Sequence, residues 1–412
     1  MVSVLDFSKR RLEAFLDEVD HLKEIEFPYS HSRDALAPIY DALKNHREAL
    51  GSLSESSDPA TVKAAAKSAL TAIAIYLPLL GFILRSTNVR NAFEIHAPFL
   101  RLSRNLLSPT TKIVLSSEWD YSPLTYASVP ILPGFALIGL PASESANPFL
   151  VPLLGHELGH SVWQQKGVDR RVSGALQNTI LELIQDSFWA QFQQLNPGVT
   201  KETITTDLFA NQKLLHSYEW ANAQTEETFC DCIGLRLFGE SYMHAFAYLI
   251  APNLGGVRSV KYPHYKRRAR TLVEACASYQ TQPLQDYEAL FEDLPLPSTI
   301  DLQSELLLNI ADAAFESMIP AIIKIADEIV TTAKVATSND TIVSQIVSDF
   351  AHYAVPARHP NSLASILNAG WKAYHDPTLW VSNPIINRDR TLKELLLKSF
   401  EVLEFNTVTQ ST

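Results

Sequence analysis

The chain has 412 residues, 46% of them hydrophobic and 19% charged, with a formal net charge of −11 and a sequence pI of about 5.6. This length and mix suit a soluble chain of two or three compact units with a large core. An acidic balance with no long Lys/Arg run argues against a nucleic-acid partner, because phosphate binding needs a basic face.

The N-terminus, MVSVLDFSKRRLEAFLDEVDHLK, is charged throughout. It lacks the apolar stretch and small-residue cleavage site of a signal peptide, so a cytoplasmic protein is expected. Cys230, Cys232 and Cys276 are too few and odd in number for a disulfide framework, and they suit reduced thiols. The longest apolar run, Ala69 to Leu84, contains Pro78 and Gly81 and is shorter than the roughly 20 residues of a membrane span. It reads as a buried helix, and no membrane span is expected.

Residues 1 to about 110 show helical periodicity, with Leu12, Phe15 and Leu16 recurring at three and four and a break at the Ser-rich stretch from Gly51. From Ile113 the pattern becomes strand-like: IVLSS, the turn EWDYSP, the break VPILPG, then the strand FALIGL from Phe135 to Leu140. Helical periodicity returns at Leu176, Ile180, Leu183, Ile184, Phe188 and Phe192 and stops at Asn196 to Gly198. A long helical pattern runs, with interruptions, from about Lys201 to Leu249. The Pro-rich LPLPS from Leu294 to Ser298 is the best linker, and a helix with a kink or break at Pro320 follows. The expected organisation is an N-terminal helical region (1–110), a core (111–285) and a C-terminal helical region (286–412). The fold class is mainly α (α+β), with a small sheet beside the helix that carries the chemistry.

That helix spans Pro152 to Gln165, PLLGHELGHSVWQQ. His156 and His160 are four apart and share one helical face, where two imidazoles can hold one Zn²⁺. Glu157 sits at the edge of that face, placed to take a proton from a metal-bound water. With 12 His in the chain, such a His-Glu-x-x-His pattern arises by accident in about 2 of 100 chains of this composition. The bland alternative is a histidine pair on an ordinary helix surface. Against it, Leu154, Leu158 and Val162 give the helix an apolar back to bury, opposite the histidines. Gly155 and Gly159 each cost about 1 kcal/mol of helix stability and need a reason, such as close approach of another backbone.

A catalytic zinc usually takes a third protein ligand and leaves one position open. In TEETFCDCIG, from Thr225 to Gly234, Glu227 and Asp231 are again four apart on a helix. One carboxylate can ligate while the other accepts the spare N–H of a ligand histidine. The assignment is Glu227 as ligand and Asp231 behind it. Glu226 is the rival ligand, but its own residue four on is Cys230. A solvated acidic face is the alternative for the pair taken alone. Cys230 and Cys232 point to different sides of the helix and read as buried packing.

The set His156-Glu157-Leu158-Gly159-His160, with Glu227-x-x-x-Asp231 beginning 67 positions after His160, resembles the gluzincin branch of zinc metallopeptidases. Tyr262-Pro263-His264-Tyr265-Lys266-Arg267-Arg268-Ala269 resembles the His-Pro segment, with an arginine six residues on, of the CAAX prenyl protease-like gluzincins, but Tyr262 stands where that family has its histidine. The resemblance covers about residues 113 to 275, and the family's membrane-spanning helices have no counterpart in this reading. It implies a zincin-like core, Glu227 as third ligand, one Zn²⁺ per chain, an edge strand at Phe135 to Leu140 that pairs with extended substrate, and hydrolysis of a peptide or protein.

A developing oxyanion needs a donor besides the metal, and Tyr262, His264 and Arg268 are the candidates; the alternatives are loop surface and, for Arg268, an ion pair with a buried acid. The turn Ser116 to Pro123 could line a cleft or be a capped loop with an anchoring Trp119. His352, His359 and His375 lack metal-ligand spacing, and the run Lys266 to Arg270 reads as solvated. The expectation is thus a zinc metallopeptidase with Glu157 as general base. The alternatives are a non-catalytic zinc-containing helical scaffold and a zinc amidohydrolase acting on a small molecule. Nothing in the sequence fixes the oligomeric state.

Overall fold

The computed structural model describes residues 4–54, 56–86, 93–120, 123–126, 129–357, 362–381 and 387–410. His359, Tyr121 and Ser122 lie outside them. Fifteen helices and three strands are formed among the described residues, so the chain is mainly α with one small sheet.

The first unit comprises 1–96 and 108–146. Helices α1 (Val4–Lys23), α2 (Ser30–Asp34), α3 (Leu36–Gly51) and α4 (Pro59–Arg85) precede α5 (Phe93–Leu106), within which the division falls. In α1 the buried residues Leu5, Leu12, Phe15, Leu16, Val19 and Leu22 form the stripe that the periodicity predicts. Asp58 starts α4 by accepting a hydrogen bond from Thr61 N at 2.9 Å, and Pro59 fits the first turn, where its missing N–H has no role. Strands β1 (Lys112–Glu118), β2 (Leu124–Tyr126) and β3 (Phe135–Pro141) form a sheet in the order β1-β3-β2. β1 pairs with β3 in parallel, from Lys112 opposite Phe135 to Glu118 opposite Pro141, and β2 pairs antiparallel with Leu137 to Gly139. Phe82, Ile83, Val114 and Leu137 join helices and sheet in one core. Arg85 closes it with a bidentate pair to buried Glu118 at 2.8 and 3.1 Å.

Three expectations need correction here. Phe135 to Leu140 is the central strand, paired on both sides, so it offers no free edge to a substrate. The short β2 falls after the expected turn and fills the edge instead. Trp119 is 73% exposed, so its ring is not buried as an anchor. The apolar run at Ala69 to Leu84 belongs to a 27-residue helix that is long and apolar enough to cross a membrane by length and composition, with 33% of its most apolar window buried. One face of α4 lies in the core, while Ile75 and Leu77 on another are 56% and 57% exposed.

The second unit comprises 97–107 and 147–412. It holds α6 (Leu153–Gln165), α7 (Val168–Gln185), α8 (Trp189–Leu195), α9 (Leu208–Phe238), α10 (Glu240–Ile250), α11 (Tyr265–Tyr279), α12 (Leu302–Thr332), α13 (Asp340–Ala351), α14 (Leu363–His375) and α15 (Arg388–Gln410). α9 and α12 run side by side in the same direction: Ser217 bonds Leu307 O, Gln224 bonds Asp312, and Arg236 bonds Asp327. The boundaries therefore differ from those read in the sequence. The sheet belongs with the N-terminal helices, and residues 286–412 belong with the histidine helix. The Pro-rich stretch at 294–298 is no linker, since Pro295 O accepts from Arg258 N at 2.9 Å. α12 also passes through Pro320 unbroken. Pro320 and Glu316, whose carbonyl loses its usual partner, are both exposed, so water can satisfy that carbonyl.

Candidate metal centre

Helix α6 is buried along nearly its whole length, with Leu154, Leu158 and Val162 fully covered, and His156 and His160 are its least buried positions before Gln164. Its glycines answer the cost noted above. A Cβ added at Gly159 would lie 2.8 Å from Cys230 Cα, and one at Gly155 would lie 2.9 Å from the Phe238 ring and 3.1 Å from Gly234 Cα. The two helices therefore meet backbone to backbone, which lets the short reach of a glutamate on α9 meet the imidazoles of α6.

Glu227 faces both histidines: its carboxylate lies 3.4 Å from His156 Nε2 and 3.8 Å from His160 Nε2. One ligand atom from each of the three residues lies within 4.8 Å of the others, and this is the one such group of three among the described residues. Two atoms each about 2.0–2.1 Å from a tetrahedral zinc stand roughly 3.3 Å apart, so the set fits that ion. The other ring nitrogens are already engaged. His156 Nδ1 is 2.9 Å from Asp231 Oδ1, and His160 Nδ1 is 2.9 Å from Glu226 Oε1. Both pairs fix the tautomer that leaves Nε2 to accept a cation.

The electrostatics suit a positive charge. Burial lowers the pKa of His156, but hydrogen bonds to Asp231 and Glu227 outweigh it and hold the pKa up at about 10. For His160, burial is likewise overcome by Glu226, and the pKa is raised. Burial pushes Glu227 up, yet the His156 hydrogen bond leaves it below the usual carboxylate range. Glu157, 5% exposed, is raised by burial, against the pull of both histidines. Cys230 is buried and its thiol is pushed well up by burial, so it stays protonated and serves as packing.

Asp231 is itself held. Arg268 donates to it from Nε at 2.7 Å and Nη2 at 2.8 Å, and Tyr242 OH donates at 2.7 Å. Burial raises its pKa, but the Arg268 charge prevails and keeps it far below the usual range. Arg268, read as a possible oxyanion donor within a solvated run, is 5% exposed and commits two donors to this acid, so it supports a ligand from behind. His264 is corrected likewise: its Nε2 accepts from Arg258 Nη1 at 2.8 Å, and it stands at the residue before α11 without a side-chain bond to that helix's amides. Tyr262 stands differently. Its ring is 45% exposed, while Glu227 first, and then burial and Glu157, raise its hydroxyl pKa to about 12. It is the candidate donor that both feels the site and meets solvent. Its loop is pinned by Arg258 Nε to Tyr262 O at 3.1 Å and by Gln224 Nε2 to Val260 O at 3.1 Å, with Asp312 gripping Arg258 at 2.6 and 2.8 Å.

Sequence reasoning brought His156, His160, Glu227 and Asp231 together as found. It missed Glu226 as the partner of His160, although the adjacent pair Glu226-Glu227 could have signalled it. Tyr242 and the Arg258–Asp312 pair carry no sequence signal, being joined only by folding. No family model, curated protein or solved structure matches the chain.

Proposed function

We propose that this chain is a zinc-dependent peptidase of gluzincin type, with a zincin-like core built on α6 and α9. One observation carries the reading: the Nε2 atoms of two histidines and one carboxylate converge while both Nδ1 atoms are held by acids of the same helix. His156, His160 and Glu227 would hold the ion. Bound zinc supplies a Lewis acid that acidifies water and polarises a carbonyl.

The remaining steps belong to the chain. Glu157, buried and raised above the ordinary carboxylate range, takes a proton from the attacking water and returns it to the leaving amine. The Tyr262 hydroxyl, protonated at neutral pH, donates a hydrogen bond to the carbonyl oxygen as it becomes anionic. Arg268, Asp231 and Glu226 orient the ligands. A scaffold with structural zinc would have no use for a buried general base beside the ligands.

The test is cleavage of a quenched fluorescent peptide library by the zinc-loaded chain and by Glu157→Gln. The variant should keep its zinc and lose at least about 10²-fold in rate. Equal rates at equal zinc content would remove the mechanism, and no cleavage by either would favour the scaffold.

A further inference from the structure

The second unit contains a cleft of about 580 Å³ that shares no residue with the metal centre. It opens between the ends of α9 and α11, the starts of α10 and α13, and one side of α14. Its size is that of a small-molecule site.

The charges lining it do not cancel. Arg236 is spent on Asp327 at 2.6 Å, and the Asp376 carboxylate accepts from Thr378 N and Oγ1 at 2.8 and 2.7 Å. Lys372, Glu240 and Asp340 remain, one cation against two carboxylates, with no hydrogen bond or ion pair to their side chains among the described residues. Burial and the neighbouring Asp340 raise the pKa of Glu240, and Lys372 offsets this only in part. The carbonyl ends of α9 and α11 add partial negative charge and the amide ends of α10 and α13 partial positive charge, so the helix dipoles offset one another and the side-chain carboxylates set the sign.

One wall is aromatic. The Trp371 ring stacks on His244 at 5.1 Å and on His375 at 5.6 Å, and the two imidazoles lie 4.5 Å apart. Burial and His375 hold the pKa of His244 down at about 4, and His375 is also lowered, so neither ring repels a cation at neutral pH. No third metal ligand joins them among the described residues, which disfavours a metal as occupant.

We propose that this cleft binds a small organic monocation, its ammonium or guanidinium seated between Glu240 and Asp340 and its planar or apolar body against Trp371, His244 and His375. The site is independent of the metal centre. Three probes of one shape separate charge from fit: 2-phenylethylamine, 2-phenylethanol and 3-phenylpropionate, titrated calorimetrically into the full-length chain at pH 7.5.

The amine should bind at a single saturable site, the alcohol more weakly and the carboxylate not at all. Glu240→Gln and Asp340→Asn, each checked for native circular dichroism, should each weaken the amine by about two- to fivefold. Glu157→Gln should leave its affinity unchanged. Absence of amine binding, equal binding of all three probes, or full affinity retained in both acid variants would overturn the proposal.

Discussion

Replacing Arg268 by methionine separates a residue that supports a ligand from one that touches substrate. The change removes the donors at 2.7 and 2.8 Å from Asp231, which is 1% exposed, and leaves it with Tyr242 at 2.7 Å and His156 at 2.9 Å. Breaking a buried pair by removing one partner costs about 3–5 kcal/mol. The escape route, protonating Asp231, costs about 4 kcal/mol at pH 7 from an ordinary carboxylate pKa, so it gives little relief. A loss of about 3–4 kcal/mol is expected at pH 7, a large part of the stability of an ordinary domain. The sign with pH follows from the lowered pKa of Asp231: its contribution is present above the unfolded pKa near 4 and is lost as pH falls. Wild type and variant should therefore differ by a similar amount at pH 7.5 and pH 5 and converge only as pH falls below about 4. Urea unfolding of the metal-free proteins at pH 7.5 and at about pH 3 measures this without stabilisation by bound ion. A variant within about 1 kcal/mol of wild type that has nevertheless lost hydrolysis would show that Arg268 acts on substrate.

Gly159→Ala gains about 1 kcal/mol of helix propensity but forces α6 from α9 at the 2.8 Å approach to Cys230, an overpacking cost of about 1–3 kcal/mol. Thermal unfolding should show a net loss, and stabilisation would refute the close-approach argument. Glu226→Ala frees His160 Nδ1 and should weaken zinc about 10- to 100-fold in a chelator competition, whereas unchanged affinity would mean that the 2.9 Å contact orients nothing. Tyr262→Phe should slow peptide cleavage about 10²-fold with little change in stability or zinc affinity, and an unaltered kcat would leave the oxyanion without this donor.

The parts legible in the sequence are those written in local spacing. His156 with His160, and Glu227 with Asp231, announce themselves because four residues make one helical turn, and the apolar stripe of α1 does so for the same reason. Gly155 and Gly159 were legible as a cost before their reason was visible. What escaped the sequence depends on pairs far apart in the chain. Arg268 finds Asp231 across 37 positions and Arg258 finds Asp312 across 54, so neither role can be read from local pattern. An ion pair with a buried acid is open for Arg268 in the sequence, but which acid cannot be read there; both arginines are 5% exposed once folded. β2 has only three residues, too few for an alternation to show. Pro320 suggests a break because it removes a hydrogen bond, but which side of the helix faces solvent is settled by packing. The expected division failed because it followed changes of periodicity, while the units are set by which helices share a core.

The central claim is that α6 and α9 jointly hold a zinc ion, and elemental analysis of the chain tests it most directly. After zinc loading and desalting, wild type should retain about one zinc per chain, and Glu227→Ala, with native circular dichroism, should retain almost none. Wild type without stoichiometric zinc, or a Glu227→Ala variant that keeps it, would contradict the claim.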